Sequence, residues 1–361
     1  MKILWVTGRR LDSDLASSTE IGLFGSLTKM GHCVKLFSPG GLEANQQNHI
    51  KIKNKNIPGL VTITGSLYIR RKILGIINQD NYDIILIDWR YVFFIKKILK
   101  RINIPWFMID RGPPVDKNWK LWFQKITWIK SWKFAKNNAK AGVIVSKKHG
   151  LFVRKYASLS MDFIILPSGT SFANPKINKA YNKLKLIYVG QIDQRRDIAS
   201  LINLKNSLNR SGIDNNITVI GEGDAKDWLI KNTMDLEGFE VISKKKPHEI
   251  NIIMQEFHFG LMPMPKIPIW EMSSPIKISE YARCGLIVLG PKHEGNMWNK
   301  EVSWVVLSEE KEWWKDSVKK ILKLRNESML KNLSEQAIID SEDRSWDNIA
   351  EIFSQDLKKR I

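Results

Sequence analysis

The chain has 361 residues, of which 43% are hydrophobic and 26% are charged. These values are typical of a soluble globular protein of two or three domains, and they exclude collagen-like and low-complexity disordered chains. The longest apolar runs are far shorter than the ~20 residues that a membrane span requires, and the apolar stretch at residues 3–6 is too short for a signal peptide. The chain has two cysteines, Cys33 and Cys284, which are distant in sequence. We therefore expect no disulfide framework and a protein that resides in the reducing cytoplasm.

The net charge of +20 is concentrated in the first half of the chain. Residues 1–170 contain 28 lysines and arginines against 10 aspartates and glutamates, a net charge of +18. Residues 171–361 contain 29 against 27, a net charge of +2. This asymmetry indicates that the first half meets an anionic partner, which is a membrane surface, an anionic substrate or nucleic acid. Solubility in a basic proteome explains the same charge without a partner.

The first half alternates apolar runs with helical patterns, which predicts a doubly wound α/β domain over residues 1–170. The runs are nearly continuous, as expected for parallel strands buried on both faces. The predicted strands are Ile3–Val6, Cys33–Phe37, Asp83–Ile87, Trp106–Ile109, Gly142–Val145 and Phe163–Leu166. The predicted helices are Ser18–Met30, Tyr91–Arg101, Trp119–Asn137 and Lys147–Tyr156.

The same alternation restarts after a polar linker at residues 171–183, which predicts a second domain over residues 184–340. Its predicted strands are Lys185–Gly190, Ile217–Ile220, Phe239–Ile242, Phe259–Met262, Leu286–Leu289 and Trp304–Leu307. Its predicted helices are Asp197–Asn209, Ala225–Asn232, Pro247–Gln255, Ile276–Arg283 and Lys311–Leu324. An apolar stripe from Arg344 onwards predicts a last helix within residues 341–361. Ligands bind at the carboxyl ends of the strands in open α/β sheets, so we expect the site in a cleft between the domains.

The segment Ser273–Gly285 has the residues of a phosphate-binding helix N-terminus. Pro275 fits the first helical position, and the backbone N–H groups and dipole of that end attract phosphate oxygens. Lys277 adds a positive charge, and the Glu280 carboxylate can accept hydrogen bonds from the two hydroxyls of a ribose. Gly285 ends the helix. An ordinary capped helix with a Lys277–Glu280 ion pair explains the same residues.

This segment resembles the signature Ser-Pro-x-Lys-x-x-Glu-Tyr-x-x-x-Gly of the retaining GT-B glycosyltransferases called family 4, and the resemblance covers most of the chain. It implies two Rossmann-like domains that face a central cleft, with the C-terminal helix crossing back to the first domain. It implies that the second domain binds a nucleotide-diphosphate sugar, either UDP- or GDP-linked, with no other cofactor and no metal. The matched donor-binding positions are Ser274, Pro275, Ile276, Lys277 and Glu280.

A second stretch, Val189–Arg196, is similar to the family's Gly-Arg-Leu…Arg-Lys-Gly loop, in which the arginine and the lysine hold the donor diphosphate. Gly190 matches the first glycine, and Arg196 takes the place of the lysine. Gln191 replaces the arginine, so this half of the diphosphate clamp is left to Arg195. The resemblance therefore implies Gly190, Arg195 and Arg196 as further donor-binding residues.

Two residues of the family pattern are absent. Met272 stands where the family has a first glutamate, so we expect Glu271 to approach the transferred sugar, with the backbone amides of residues 272–274 beside it. The histidine of the acceptor domain is replaced by Asp110 and Arg111, which the resemblance places near a sugar hydroxyl or an acceptor phosphate. A salt-bridged turn explains the latter pair equally well. Asp88, after the preceding strand, is a similar candidate.

Gly8, Arg9 and Arg10 follow the first strand, where the family has a glycine-rich turn, and are the predicted acceptor-binding residues. The small residue lets a ligand approach the backbone, and the arginines suit an acceptor that carries phosphate. No complete Gly-x-Gly-x-x-Gly follows this strand, which argues against a dinucleotide-dependent oxidoreductase.

Residues 117–140 interleave lysines with four tryptophans, Trp119, Trp122, Trp128 and Trp132. This pattern is typical of a helix that lies on an anionic bilayer, although a helix that packs on the core with solvated lysines explains it as well. We therefore expect a cytoplasmic hexosyltransferase, peripheral on the inner face of the membrane, with a lipid-linked or saccharide acceptor. The alternatives are another GT-B enzyme, an epimerase or a phosphorylase, and a basic nucleic-acid-binding protein. No motif supports nucleic acid beyond the charge.

Overall fold

The computed structural model describes residues 1–12, 17–41, 48–55, 57, 60–114, 119–157, 161–170, 179–324 and 326–361, with the backbone alone at residues 119–121. Most of the predicted linker, residues 171–178, lies outside these ranges. The chain divides into two compact units. The first comprises Met1–Gly169 with Trp346–Ile361, and the second comprises Thr170–Ser345.

The first unit is a parallel seven-stranded sheet with helices between its strands. Its elements are β1 (Lys2–Val6), α1 (Ser18–Lys29), β2 (Cys33–Ser38), β3 (His49–Lys51), α2 (Val61–Gln79), β4 (Ile84–Asp88), α3 (Trp89–Leu99), β5 (Trp106–Ile109), α4 (Trp119–Asn138), β6 (Gly142–Ile144), α5 (Lys147–Ala157) and β7 (Phe163–Ile165). The strand order is β3-β2-β1-β4-β5-β6-β7. The six predicted strands are present, whereas β3 and the long helix α2 were not predicted.

Strand β1 shows why these runs are continuously apolar. Leu4 and Val6 belong to one buried cluster and Ile3 and Trp5 to another, because successive side chains of a strand point to opposite faces of the sheet. Both faces are covered, so neither set can be polar.

The second unit is a parallel six-stranded sheet built in the same way. Its elements are β8 (Leu184–Val189), α6 (Ala199–Arg210), β9 (Asn215–Ile220), α7 (Lys226–Thr233), β10 (Phe239–Ile242), α8 (Pro247–Met254), β11 (Phe259–Leu261), α9 (Pro268–Glu271), α10 (Ile276–Arg283), β12 (Ile287–Pro291), β13 (Val305–Ser308), α11 (Trp313–Leu324) and α12 (Glu327–Ser341). The strand order is β10-β9-β8-β11-β12-β13. Helices α9 and α12 were not predicted.

Each sheet reverses its strand order at one place, between β1 and β4 in the first unit and between β8 and β11 in the second. In open α/β sheets such a reversal separates the loops at the carboxyl ends of the two strands and leaves a crevice that binds ligands. The loops that follow these four strands are therefore where a functional site is expected.

The last helix, α13 (Trp346–Lys358), belongs to the first unit although it follows the second in sequence. Phe353 and Leu357 lie in the same buried cluster as Ile3 of β1. Asp347 accepts hydrogen bonds from Ser26 and from Lys29 of α1. The predicted crossing of the C-terminal helix back to the first domain is confirmed.

Candidate active site

Helix α10 places its N-terminus at the end of the loop that follows β11. It begins at Ile276, and the preceding Pro275 has an extended backbone. Pro275 therefore lies just before the helix and not at its first position, which corrects the prediction. The first N–H groups of a helix have no intrahelical partner. Lys277 Nζ lies 2.9 Å from the Glu280 carboxylate, so the expected ion pair is present, and it holds both charges in the first turns of the helix.

Tyr281 fixes this helix to the sheet. Its hydroxyl accepts a hydrogen bond from the backbone N–H of Val189 at 3.1 Å and donates to the carbonyl of Leu261 at 3.3 Å. The ring packs on Gly260, where a Cβ would lie 2.4 Å from ring atoms. Burial raises the pKa of Tyr281, so the hydroxyl keeps its proton. Sequence reasoning assigned Tyr281 no role, although the tyrosine in the matched signature was a signal.

The loop after β8 holds Arg196 in a defined position. Its Nη2 donates to Gln191 Oε1 at 3.3 Å, and its Nε lies 3.6 Å from the Asp193 carboxylate. Gln191, which stands where the family has an arginine, therefore orients Arg196. The next residue, Asp197, has a φ of 54°, a conformation that favours glycine. The signature has glycine at this position, so the backbone supports the match of Arg196 to the family's lysine. Arg195 is exposed.

The loop that carries Glu271 forms a short helix and a hydrogen-bonded turn. Pro268 begins the short helix α9, which ends at Glu271. The backbone amides of Met272 and Ser273 donate to the carbonyls of Pro268 and Trp270, each at 3.1 Å. Our expectation that these two amides face a substrate is therefore wrong, because the loop uses them for its own turn. Glu271 is partly exposed beside α10, and its role toward a sugar stays a prediction.

In the first unit, Gly8 follows β1 and lies against a buried ion pair. Its N–H donates to Asp88 Oδ2 at 3.2 Å, and Asp88 also accepts from the backbone and guanidinium of Arg90. Asp88 therefore caps α3 and holds Arg90. Arg10 is 43% exposed in its side chain and lies 3.5 Å from Asp12, whereas Arg9 is partly buried.

Asp110 is a core residue, which corrects the prediction that it faces a substrate. Its side chain is 0% exposed. Its Oδ2 accepts from the indole N–H groups of Trp128 at 2.6 Å and Trp132 at 3.0 Å, and lies 3.4 Å from Nε2 of His149. Burial by itself raises the pKa of Asp110, but His149 and the Trp128 indole bring it below its ordinary value.

Arg111 and Glu20 form a second buried polar group beside β1 and β5. Arg111 donates to the carbonyl of Leu166, to Ser168 and to Thr19, and burial lowers its pKa to about 10. Glu20 is 2% exposed, and its Oε2 has no hydrogen-bond partner among the residues that the structure describes. Burial also raises the pKa of Glu20. Sequence reasoning missed Glu20, whose only signal was an acidic residue at the start of a predicted helix.

The described tryptophan side chains of helix α4 are either buried in the core or exposed on the surface. Trp128 and Trp132 are buried against Asp110, so they do not face a bilayer as the sequence pattern allowed. Trp122 and Phe123 are 60% and 59% exposed, and their rings are 5.0 Å apart. Lys125 Nζ lies 4.9 Å from the ring centre of Tyr156 in α5. We call these four exposed residues, Trp122, Phe123, Lys125 and Tyr156, the α4 surface. The Trp119 side chain lies outside the described part of the chain.

Within the described ranges, no three His, Cys, Asp or Glu side chains come together as a metal-binding group. Of the helices described, none combines the length and the apolar character needed to cross a membrane.

No family model and no curated protein matches the sequence, but solved structures match nearly all of it. Sucrose-phosphate synthase from Thermosynechococcus elongatus has a TM-score of 0.76 at 14% identity, and the match covers 99% of this chain and 98% of that one. A glycosyltransferase from Rickettsia africae has a TM-score of 0.71 at 14% identity, covering 99% and 97%. Anabaena HepE, solved with UDP-glucose, has a TM-score of 0.69 at 12% identity, covering 99% and 100%.

Tandem doubly wound sheets, with the last helix returned to the first unit, define a class of two-domain α/β proteins. Many of the solved structures that match nearly the whole chain are GT-B glycosyltransferases. This chain therefore has the GT-B fold, as its sequence signature predicts.

Proposed function

We propose that this protein is a glycosyltransferase that moves a hexose from a nucleotide-diphosphate sugar to a hydroxyl group with retention. The observation that carries the proposal is the chemistry at the carboxyl ends of β8 and β11. The Arg196 turn follows β8, and the N-terminus of α10, with Lys277 and Glu280, follows β11. Similar structures were solved with UDP-glucose, with UDP and with ADP, which supports a nucleotide-sugar donor.

The proposed chemistry is electrostatic. When the bond from the anomeric carbon to the diphosphate breaks, negative charge develops on the departing diphosphate. Arg196, Lys277 and the N–H groups of α10 would stabilise this charge. Glu280 would bind the ribose hydroxyls, and Glu271 would approach the sugar. In the first unit, Gly8, Arg9, Arg10 and Arg111 would bind an acceptor. Its hydroxyl oxygen would form the new bond on the same face of the sugar, and its proton would pass to the departing diphosphate.

The first test is calorimetric titration of the protein with UDP, GDP, ADP and CDP. We expect one diphosphate to bind with micromolar affinity and Glu280→Ala to weaken it by ~1–3 kcal/mol, as for a lost hydrogen bond to a charged group. Glu312→Ala, which removes an exposed carboxylate paired with Lys315, is the matched control and should leave binding unchanged. Absence of binding by all four nucleotides would contradict the proposal.

We further propose that the acceptor is lipid-linked and that the α4 surface contacts an anionic membrane on its cytoplasmic face. Helix α4 contains no acidic residue, and the exposed Trp122 and Phe123 have the amphipathic and apolar rings that membrane interfaces favour. The first half of the chain, which contains this surface, has a net charge of +18. Each basic residue near an anionic bilayer contributes about 1 kcal/mol.

Co-sedimentation with vesicles tests the membrane proposal. We expect binding to phosphatidylcholine vesicles that contain phosphatidylglycerol, weaker binding at high salt, and loss of most binding in the double variant Trp122→Ala/Phe123→Ala. Trp228→Ala removes a tryptophan that is 44% exposed in the second unit, and it should bind as the wild type does. Equal sedimentation of the double variant and the wild type would contradict the membrane proposal.

A further inference from the structure

Trp270 joins the two loops at the strand-order reversal of the second unit. Its ring centre lies 4.8 Å from the guanidinium carbon of Arg196, and its indole N–H donates to the backbone carbonyl of Arg195 at 3.3 Å. These arginines follow β8, whereas Trp270 follows β11, and the two strands are parallel neighbours. A single side chain therefore connects the proposed diphosphate site to the loop that leads into α10.

The backbone of Trp270 is itself held in place. Its carbonyl accepts hydrogen bonds from the Ser273 N–H at 3.1 Å and from the Ser273 hydroxyl at 2.6 Å. Gly295 packs directly on this carbonyl, since a Cβ at that position would lie 1.8 Å from the Trp270 oxygen. The ring therefore projects from a backbone with little freedom, and it presents its face to Arg196 in a defined orientation.

The Arg196 guanidinium is contacted by the ring of Trp270 together with the side chains of Gln191 and Asp193. Its hydrogen bond to Gln191 at 3.3 Å and its ion pair with Asp193 at 3.6 Å are long, the Tyr188 hydroxyl is a further neighbour, and its side chain is 19% exposed. A long side chain loses rotamer freedom when it binds an anion, so fixing it beforehand increases affinity. A cation–π contact does this without occupying the N–H groups of the guanidinium. The donors that do not already bond to Gln191 remain available for phosphate oxygens, which Arg binds with two parallel hydrogen bonds.

We propose that Trp270 is the positioning residue for Arg196, and that it raises the affinity of the second unit for the diphosphate group of its ligand. This inference rests on the proposed function, because it assumes that Arg196 binds the donor diphosphate. It adds a residue that lies outside the sequence signature, which begins at Ser274. The ligand chemistry is a diphosphate, either free or as part of a nucleotide.

Calorimetry on the full chain with inorganic pyrophosphate and with UDP tests it. The variants are Trp270→Leu, Trp270→Phe, Arg196→Gln and the double variant Trp270→Leu/Arg196→Gln, with Trp228→Leu as the control. Trp270→Leu should weaken both ligands about fivefold, because the cation–π contact is lost. Trp270→Phe keeps an aromatic face and should stay within about twofold of the wild type. The double variant should bind no more weakly than Arg196→Gln alone, because Trp270 acts through Arg196.

These measurements distinguish the failure of the Trp270 inference from the failure of the proposed function. Coupling in the double variant together with rescue by Phe supports the positioning role. If Trp270→Leu weakens pyrophosphate by the same factor with and without Arg196, or if Phe binds as poorly as Leu, Trp270 does not act through Arg196 and the inference fails while the donor site stands. If the folded wild type binds none of the nucleotides tested and no pyrophosphate, both the proposed function and this inference are wrong. Circular dichroism and the unfolding midpoint of each variant identify any effect that comes from misfolding.

Discussion

Asp110 has a carboxylate that suits ligand binding, but its position in the fold makes it part of the core. The sequence puts Asp110 directly after a strand end, where ligand-binding groups of α/β proteins lie. In the structure its carboxylate points into the core and accepts from Trp128, Trp132 and the backbone N–H of Gly112. Two buried indole N–H groups and the backbone N–H of the exposed Gly112 therefore depend on one side chain for their hydrogen bonds.

We predict that Asp110→Ala destabilises the first unit by about 2 kcal/mol or more, because each of the two buried indole N–H groups left without an acceptor costs about 1–3 kcal/mol. Asp110→Asn keeps one acceptor oxygen and should lose less than half as much. Urea denaturation followed by near-UV circular dichroism, which reports on the buried tryptophans, measures both variants. An unchanged unfolding midpoint for Asp110→Ala would show that the carboxylate does not hold the core.

Lys179 is a buried cation with three acceptors. Its Nζ donates to the carbonyls of Cys284 and Gly285 and to the hydroxyl of Ser334. Burial lowers the pKa of Lys179 to about 7. The neighbouring titratable groups stay neutral above pH 7, since burial lowers the pKa of His258 to about 4 and raises that of Cys284 to about 12.

This pKa predicts a rise of stability with pH. Between about pH 7 and 10 the unfolded chain keeps a proton on Lys179 that the folded chain has lost, so the free energy of unfolding increases with pH. Below pH 7 both states are protonated, and the residue contributes no slope. Against Lys179→Met, the wild type should gain about 1.4 kcal/mol per pH unit in this window. Lys183→Met, at an exposed ion pair with Asp214, should show no such slope; urea denaturation at several pH values measures all three proteins.

At the scale of elements, the position of α10 is decided by packing on Gly260. Gly260 lies in β11 beneath the Tyr281 ring, so any side chain there displaces the helix that carries Lys277 and Glu280. The helix itself was predictable, because a capping pattern, charged first turns and a terminal glycine are local features of the sequence. Its attachment to β8 and β11 was not predictable, because it depends on residues that are distant in sequence.

We predict that Gly260→Ala destabilises the second unit by about 1–3 kcal/mol through overpacking, and that it weakens nucleotide binding as well. Gly75→Ala is the matched control. Gly75 lies in α2 with nothing within 4 Å of a Cβ, so alanine should stabilise the helix by about 0.5–1 kcal/mol. Thermal denaturation and UDP titration of both variants provide the check. Equal stability of the two variants would argue against the Tyr281 packing.

The two long helices that the sequence did not predict differ in their buried faces. Helix α2 has an apolar stripe, Ile69, Ile73 and Ile76, but it also contains two glycines, which are poor helix formers; Gly65 lets it approach Tyr91 of α3. Helix α12 buries small and polar residues, Ser334, Ala337 and Ser341, so its buried face lacks a comparable stripe. Helix α12 is therefore stabilised by tertiary packing and not by a pattern visible in the sequence.

At the scale of the whole molecule, the chain leaves the first unit, forms the second and returns. Trp346 begins the returning helix and is 4% exposed. It belongs to the buried cluster that contains Trp5, although its neighbour Ser345 belongs to the second unit. The stability of the first unit therefore depends on the last sixteen residues, from Trp346 to Ile361.

We predict that Trp346→Ala destabilises the first unit alone, by about 3–5 kcal/mol for a buried tryptophan. Hydrogen exchange followed by mass spectrometry should show faster exchange in β1, β2 and α1 and unchanged exchange in β8, β9 and β12. Ile352→Ala changes a residue of the same helix that is 51% exposed, and it should leave both units unchanged. Faster exchange confined to the second unit would contradict the assignment of α13.

The sequence by itself determined the two doubly wound sheets, the helix at Ile276–Arg283 and the arginine turn, because strand runs, caps and short motifs are encoded by neighbouring residues. Only the tertiary structure decided that Asp110, Trp128 and Trp132 form a buried group and that Trp270 meets Arg196. Burial and pairing of this kind depend on which distant segments the sheet order brings together. A side chain's chemistry can be read from the chain, whereas the direction in which it points is set by its neighbours in space.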